Sequence, residues 1–260
     1  MTDIRIFSYL PNPRLYKSTI AARLNGVDID IVGASPKELS NWLWDFDARP
    51  LEQVTDAEKQ ACERDARTGF SGKLYKTDRF LEANPYGTVP CAFSPDGSIG
   101  LFESNSILRA VARLGQERFP LYGNGVFEAS RIDAFLDASL VFARDSQIYL
   151  LAIGRKVLNG EIHDRAQDAF IAWMSGIEQG LHDRQWLVGK GISAADICFA
   201  CELALFSRDL AAQDVFESLG RKPVTDLSAF PQASAHYARL CAMDAVSHDL
   251  KPYLNRYTNG

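Results

Sequence analysis

Apolar and polar positions change their period near residue 115. Before it, strand-like and helix-like stretches alternate; after it, the spacing is helical throughout. Residues 4–9 form an apolar run of strand length. Leu15, Ile20, Ala21 and Leu24 then recur at helical spacing, with Asn12 placed as N-cap, Pro13 at the first helical position and Gly26 as the stop. Residues 27–31 alternate and predict a second strand. Residues 89–93 are a short apolar strand opened by Pro90, Asp96-Gly97 is a hairpin turn, and 99–102 is the return strand. Glu103-Ser104 opens a helix carrying Ile107, Leu108, Val111 and Leu114. Strand, helix and strand in succession imply a parallel pair with a right-handed crossover. With the hairpin and the last helix they complete a thioredoxin-like α/β domain over residues 1–114.

Residues 34–75 interrupt that domain. Trp42-Leu43-Trp44-Asp45-Phe46 is strongly aromatic, Thr55-x-x-Glu58 is a capping box heading a charged helix at 55–67, and 68–72 is a flexible turn. The segment reads as an insertion that covers the active site or a partner, or as a surface elaboration. Residues 115–125, with Pro120 and three glycines, are the linker. Beyond it, 126–260 form an all-helical second domain. Its long helix at 129–151 places Ile132, Phe135, Leu136, Ser139, Leu140 and Phe142 at helical spacing, and a second at 165–181 carries Phe170, Trp173 and Ile177. Ser193-x-x-Asp196 is a second capping box, before the apolar run 197–205, and marks Asp196 as a structural residue.

Composition narrows the function classes. The 260 residues are 47% hydrophobic and 23% charged, which is globular. A net charge of −5 without a basic stripe gives no reason to expect nucleic acid or an anionic membrane. No apolar run approaches the ~20 residues of a membrane helix, and the acidic start does not read as a signal peptide. The cytosol is the default compartment. Cys198-x-x-Cys201 lies inside an apolar helical run and reads as two buried thiols. The histidines at 163, 182, 236 and 248 show no ligand spacing, so no metal site is expected.

The chemistry gathers in residues 84–107. Pro90 lacks an N–H for the ladder, which suggests a cis Val89-Pro90 bond at a sheet edge and leaves the Val89 main chain free to pair with an extended peptide. The Ser104 hydroxyl and the open amides at a helix start form an anion site. A peptide-like ligand fits both, with its backbone at Val89, a carboxylate at Ser104 and an ammonium at Glu103.

Asn84-Pro85-x-Gly87-x-Val89-Pro90 and Glu103-Ser104-x-x-Ile107, at this separation, resemble the glutathione site of the glutathione transferase superfamily. The stretch from Trp186 to Asp196 resembles the start of that superfamily's buried central helix. Over nearly the full chain the resemblance is to bacterial transferase-like proteins akin to the N-terminal part of elongation factor 1 gamma. It is carried by Arg14-x-x-Lys17-x-x-Ile20-Ala21-Ala22, by residues 102–107 and by Phe135-x-Asp137-Ala138-Ser139. Thr88 departs from it, where many members carry lysine or glutamine.

The resemblance implies a homodimeric glutathione transferase whose thiolate attacks an electrophilic aromatic or apolar small molecule, in detoxification or aromatic catabolism, with aryl ether cleavage as one concrete version. A non-catalytic interaction module is the alternative. Pro11-Asn12-Pro13-Arg14 replaces the Cys-x-x-Cys of thioredoxins and weakens a disulfide-exchange reading. The thiol needs a donor from the first strand end or first helix start: Asn12 through its amide N–H, Ser8 or Tyr9; Arg14, one turn in and counted with the glutathione-binding residues, reaches the sulfur or a substrate carboxylate. By the family pattern Lys76 takes the glycine carboxylate of glutathione, with Lys73 or Arg79 as substitutes. Val89, Pro90, Glu103 and Ser104 hold the tripeptide, and Asn105 supports its γ-glutamyl end. The second substrate belongs between the domains, against Phe142, Arg144 and Tyr149 of the long helix, roofed by Trp42. The same polar cluster also fits a dimer face.

Overall fold

The computed structural model describes residues 2–67 and 69–258. It opens with β1 (Ile4–Tyr9), α1 (Pro13–Asn25) and β2 (Ile29–Ala34). The inserted segment follows as β3 (Trp42–Trp44), β4 (Arg49–Pro50), α2 (Asp56–Cys62), β5 (Glu63–Asp65) and β6 (Lys73–Lys76). The α/β part closes with α3 (Asp78–Ala83), β7 (Cys91–Phe93), β8 (Gly100–Phe102) and α4 (Ser104–Leu114). Helices α5 (Val126–Gly154), α6 (Gly160–Gly180), α7 (Ala194–Phe206), α8 (Gln213–Leu219), α9 (Pro231–Ala242) and α10 (Asp244–Thr258) make up the rest. Among the described residues no helix is long and apolar enough to cross a membrane.

Among the described residues two four-stranded sheets form, in the orders β2-β1-β7-β8 and β4-β3-β6-β5. In the first, β1 runs parallel to β2 and antiparallel to β7. Alternation along β1 sends Ile4 and Ile6 into the main core and Phe7 into a second, smaller one. Helices α1 and α4 cover the first face. The second face meets the inserted sheet, where Phe7, Trp44, Phe80 and Phe93 pack together. The insertion is therefore a second β layer, where sequence periodicity showed only one helix. That helix is present but short, and Thr55 caps it with the expected box to Glu58.

Helix α7 is buried at every one of its 13 positions, the mark of a helix surrounded by others. Its start is held by Asp196, which is fully buried. One carboxylate oxygen accepts from the Leu187 N–H at 3.0 Å and lies 2.8 Å from His236 Nε2. The other accepts from the Ser193 N–H at 2.8 Å and the Ser193 hydroxyl at 2.7 Å. Asp196→Ala should lower stability by about 2–4 kcal/mol, since it removes a cap and strands buried donors. Urea unfolding of the two proteins checks this; a loss within experimental error would remove Asp196 from the fold's supports.

Candidate functional site

The Val89-Pro90 bond is cis. Neither the N–H nor the C=O of Val89 has a partner among the described residues. The turn before it is held internally: Gly87 adopts φ 58°, its N–H donates to the Asn84 carbonyl, and Asn84 Nδ2 donates to the Thr88 carbonyl at 2.7 Å. Across the hairpin, Glu103 sits at φ 68° with its side chain exposed. That backbone costs a residue with a Cβ about 1–3 kcal/mol and is typical of ligand sites. Helix α4 starts immediately after, and the Ser104 and Asn105 amides have no partner among the described residues.

Beneath Ser104 lies a buried charge cluster. Lys17 of α1 is fully buried, and its three N–H donors are all used. They reach Ser104 Oγ at 3.2 Å, Asn105 Oδ1 at 2.7 Å and Glu202 Oε1 at 2.6 Å. Because Ser104 Oγ accepts from Lys17, its own proton is left for an acceptor on the open side. Asn105 turns its amide inward, to the Leu136 carbonyl at 2.7 Å. Arg14 Nε donates to Glu202 Oε1 at 3.3 Å. Two cations thus share one carboxylate, and a positive excess remains where α1, α4 and α7 meet.

At the end of β1, Asn12 caps α1 as expected, its Oδ1 accepting from the Arg14 N–H at 3.0 Å. Its Nδ2 donates to Ser8 Oγ at 3.1 Å, and Ser8 in turn donates to the Tyr9 carbonyl. Both Ser8 and Asn12 are 0% exposed. Tyr9 and Arg14 are half-buried and keep open surface. Burial pushes the Tyr9 phenol up, against the pull of Arg14 and Arg208, so the hydroxyl remains protonated near neutral pH.

No family model matches the chain. Elongation factor 1-gamma 1 of Oryza sativa subsp. japonica is 32% identical over 134 residues, 51% of this chain and 31% of that protein. The chain thus spans about a third of the length of the curated relatives it matches at that level. A glutathione S-transferase-like protein of a Fusarium species is 24% identical over 95% of this chain and 93% of its own. Among solved structures, a glutathione S-transferase of Methylobacterium radiotolerans, complexed with glutathione sulfonate, superposes with TM-score 0.63. That pair is 16% identical, over 95% of this chain and 94% of the other. A glutathione transferase of Pseudomonas putida, with glutathione disulfide bound, gives TM-score 0.61 at 16% identity over 95% and 90%. The chain has the glutathione S-transferase fold. The α/β domain with an all-helical partner is that fold's architecture, and the likeness to elongation factor 1-gamma adds a relationship over about half the chain.

Within this glutathione S-transferase fold, the remaining sequence-predicted residues scatter. Lys76 is buried, its ammonium donating to the Gly87 carbonyl at 2.7 Å and lying 4.7 Å from the Trp44 ring centroid. Burial lowers its pKa, with Arg67 adding to the effect. Trp42 packs on Phe7 in the small core between the sheets. Tyr149 is fully buried and donates to Asp209 Oδ2 at 3.1 Å. Phe142 is buried and stacks on Trp173 with centroids 4.3 Å apart. Arg144 is exposed. These residues do not share one pocket. Sequence reasoning did not single out Glu202, which meets Arg14 and Lys17 only through the fold.

Proposed function

We propose that the chain is a glutathione transferase. The observation that supports this most is the open Val89 main chain opposite a Ser104 hydroxyl whose lone pair is already occupied by Lys17. An extended peptide pairs with Val89, its carboxylate takes the Ser104 O–H and the open α4 amides, and its ammonium meets Glu103. A free thiol has a pKa of about 8.5. The positive excess at Arg14 and the protonated Tyr9 hydroxyl favour the thiolate, and we assign the donor role to these two. Ser8 and Asn12, without open surface, shape the strand end instead. The thiolate then attacks an electrophilic carbon, the leaving group departs with the bonding pair, and the thiol proton goes to solvent. Displacement of an aryl ether oxygen is one form of that step. The reading keeps the cytosolic setting expected from the sequence.

Retention on immobilised glutathione, elution by free glutathione and glutathione-dependent consumption of 1-chloro-2,4-dinitrobenzene test this. Retention without turnover would favour a non-catalytic interaction module, the reading that the elongation factor 1-gamma relatives support. A folded protein that is not retained would contradict the site.

The same reading includes a homodimer. A groove of about 680 Å³ runs between α5 and α6, floored by Phe142 and Trp173 and rimmed by Arg131, Asp145, Arg165 and Asp168. Val141 on its edge is 73% exposed. An apolar face of this kind, edged by both charge signs, suits a second copy of the chain. Ala138→Arg, placed in the groove, should shift sedimentation from dimer to monomer; a wild-type monomer would contradict the assignment.

A further inference from the structure

Arg208 stands apart from the other half-buried arginines among the described residues. Arg5, Arg14, Arg49, Arg64, Arg109 and Arg239 are half-buried, and each donates hydrogen bonds to protein acceptors. Arg208 is equally half-buried, yet among the described residues it has no ion pair and no hydrogen bond, and its Nε is buried without a partner. A buried donor left without a partner is destabilising, and more so when it is charged. Glu202, the buried carboxylate of the preceding helix, is already shared by Arg14 and Lys17.

The surroundings of Arg208 are aromatic. It lies in the 3-10 turn Ser207–Ala211 that follows α7 and packs against α10. Its Cζ is 5.4 Å from the Tyr257 ring centroid. Tyr257 meets Tyr253 at 5.2 Å, and Tyr253 meets Tyr16 of α1 at 6.2 Å. This row of rings links Arg208 to α1, the helix that carries Arg14. A planar, unneutralised cation therefore sits at one end of a row of tyrosines whose other end lies on that helix. A guanidinium fork matches a carboxylate in two parallel hydrogen bonds, and phenol rings offer stacking faces to an arene.

We propose that Arg208, backed by Tyr257, binds the carboxylate of an aromatic acid, and that this acid is the second substrate. Its role as the electrophile rests on the transferase reading, whereas the affinity for the anion does not. The matched probes are naphthalene-1-carboxylate and its neutral carboxamide, titrated calorimetrically into wild type, Arg208→Met and Arg208→Lys. Glutathione retention is measured on the same proteins. In wild type the carboxylate should bind about tenfold or more tightly than the carboxamide, one good charge-assisted contact. Arg208→Met should abolish that preference, Arg208→Lys should retain part of it, and both should still be retained by glutathione. Equal affinities in wild type, or a preference unchanged in Arg208→Met, would overturn the proposal. Should Arg208→Met not fold, a preference undiminished in Arg208→Lys would overturn it, because the planar fork is lost there. A wild-type preference for the carboxylate that Arg208→Met abolishes, in a protein that glutathione does not retain, would uphold this site and remove the transferase reading alone.

Discussion

Lys17→Met should cost about 2–4 kcal/mol of stability, because it takes the nearer of two cations from a buried carboxylate. Glu202 is 2% exposed in its side chain and would keep only Arg14, while Ser104 Oγ and Asn105 Oδ1 would each lose their shared donor. Replacing both partners, Lys17→Met with Glu202→Leu, should recover only part of the loss, since Arg14 then loses its carboxylate. Urea midpoints of the single and double variants measure the difference, and a single variant as stable as wild type would show that the cluster is not charged as described. The pH dependence follows. Burial alone would push the Glu202 carboxyl up; Arg14, and then Lys17, outweighs it and holds the group below the usual carboxylate range. A depressed folded pKa stabilises above the ordinary value of about 4.3 and loses that contribution as pH falls through the folded value. Acid should therefore erode wild-type stability more steeply than that of Glu202→Gln.

Ser104→Ala is the second large effect. It removes the hydroxyl that Lys17 polarises and that faces the proposed carboxylate. A hydrogen bond to a charged group is worth about 1.5–3 kcal/mol, so glutathione affinity should fall by roughly ten- to a hundredfold. Ser104→Thr keeps the hydroxyl and should retain most of the affinity. Calorimetric titration separates the three proteins. Equal binding by wild type and Ser104→Ala would move the carboxylate away from α4.

What was legible in the sequence was local. Asn84, Pro85, Gly87 and Pro90 write a turn into four positions, and Asp96-Gly97 writes a hairpin; neither depends on distant residues. The Thr55 and Ser193 boxes were readable for the same reason, each closing within three residues. The inserted sheet was not, because its strands are two to four residues long and β5 is the charged Glu63-Arg64-Asp65, too short and too polar for a period to show. Lys17 and Glu202 lie 185 residues apart. On α1 the apolar spacing picked out Leu15 and Ile20, and a lysine between them reads as a solvent group until its partner folds onto it. Phe142 and Tyr149 part company: both sit beside charged residues on the long helix, yet Phe142 floors the groove while Tyr149 turns into the core and donates to Asp209.

The account depends on one tripeptide contact, and a crystal structure of the protein with glutathione tests it directly. It should show the cysteinyl main chain paired with the N–H and C=O of Val89, and the γ-glutamyl carboxylate on Ser104 Oγ and the first α4 amides. An empty cleft at saturating glutathione, or a tripeptide bound away from Val89 and Ser104, would contradict the account.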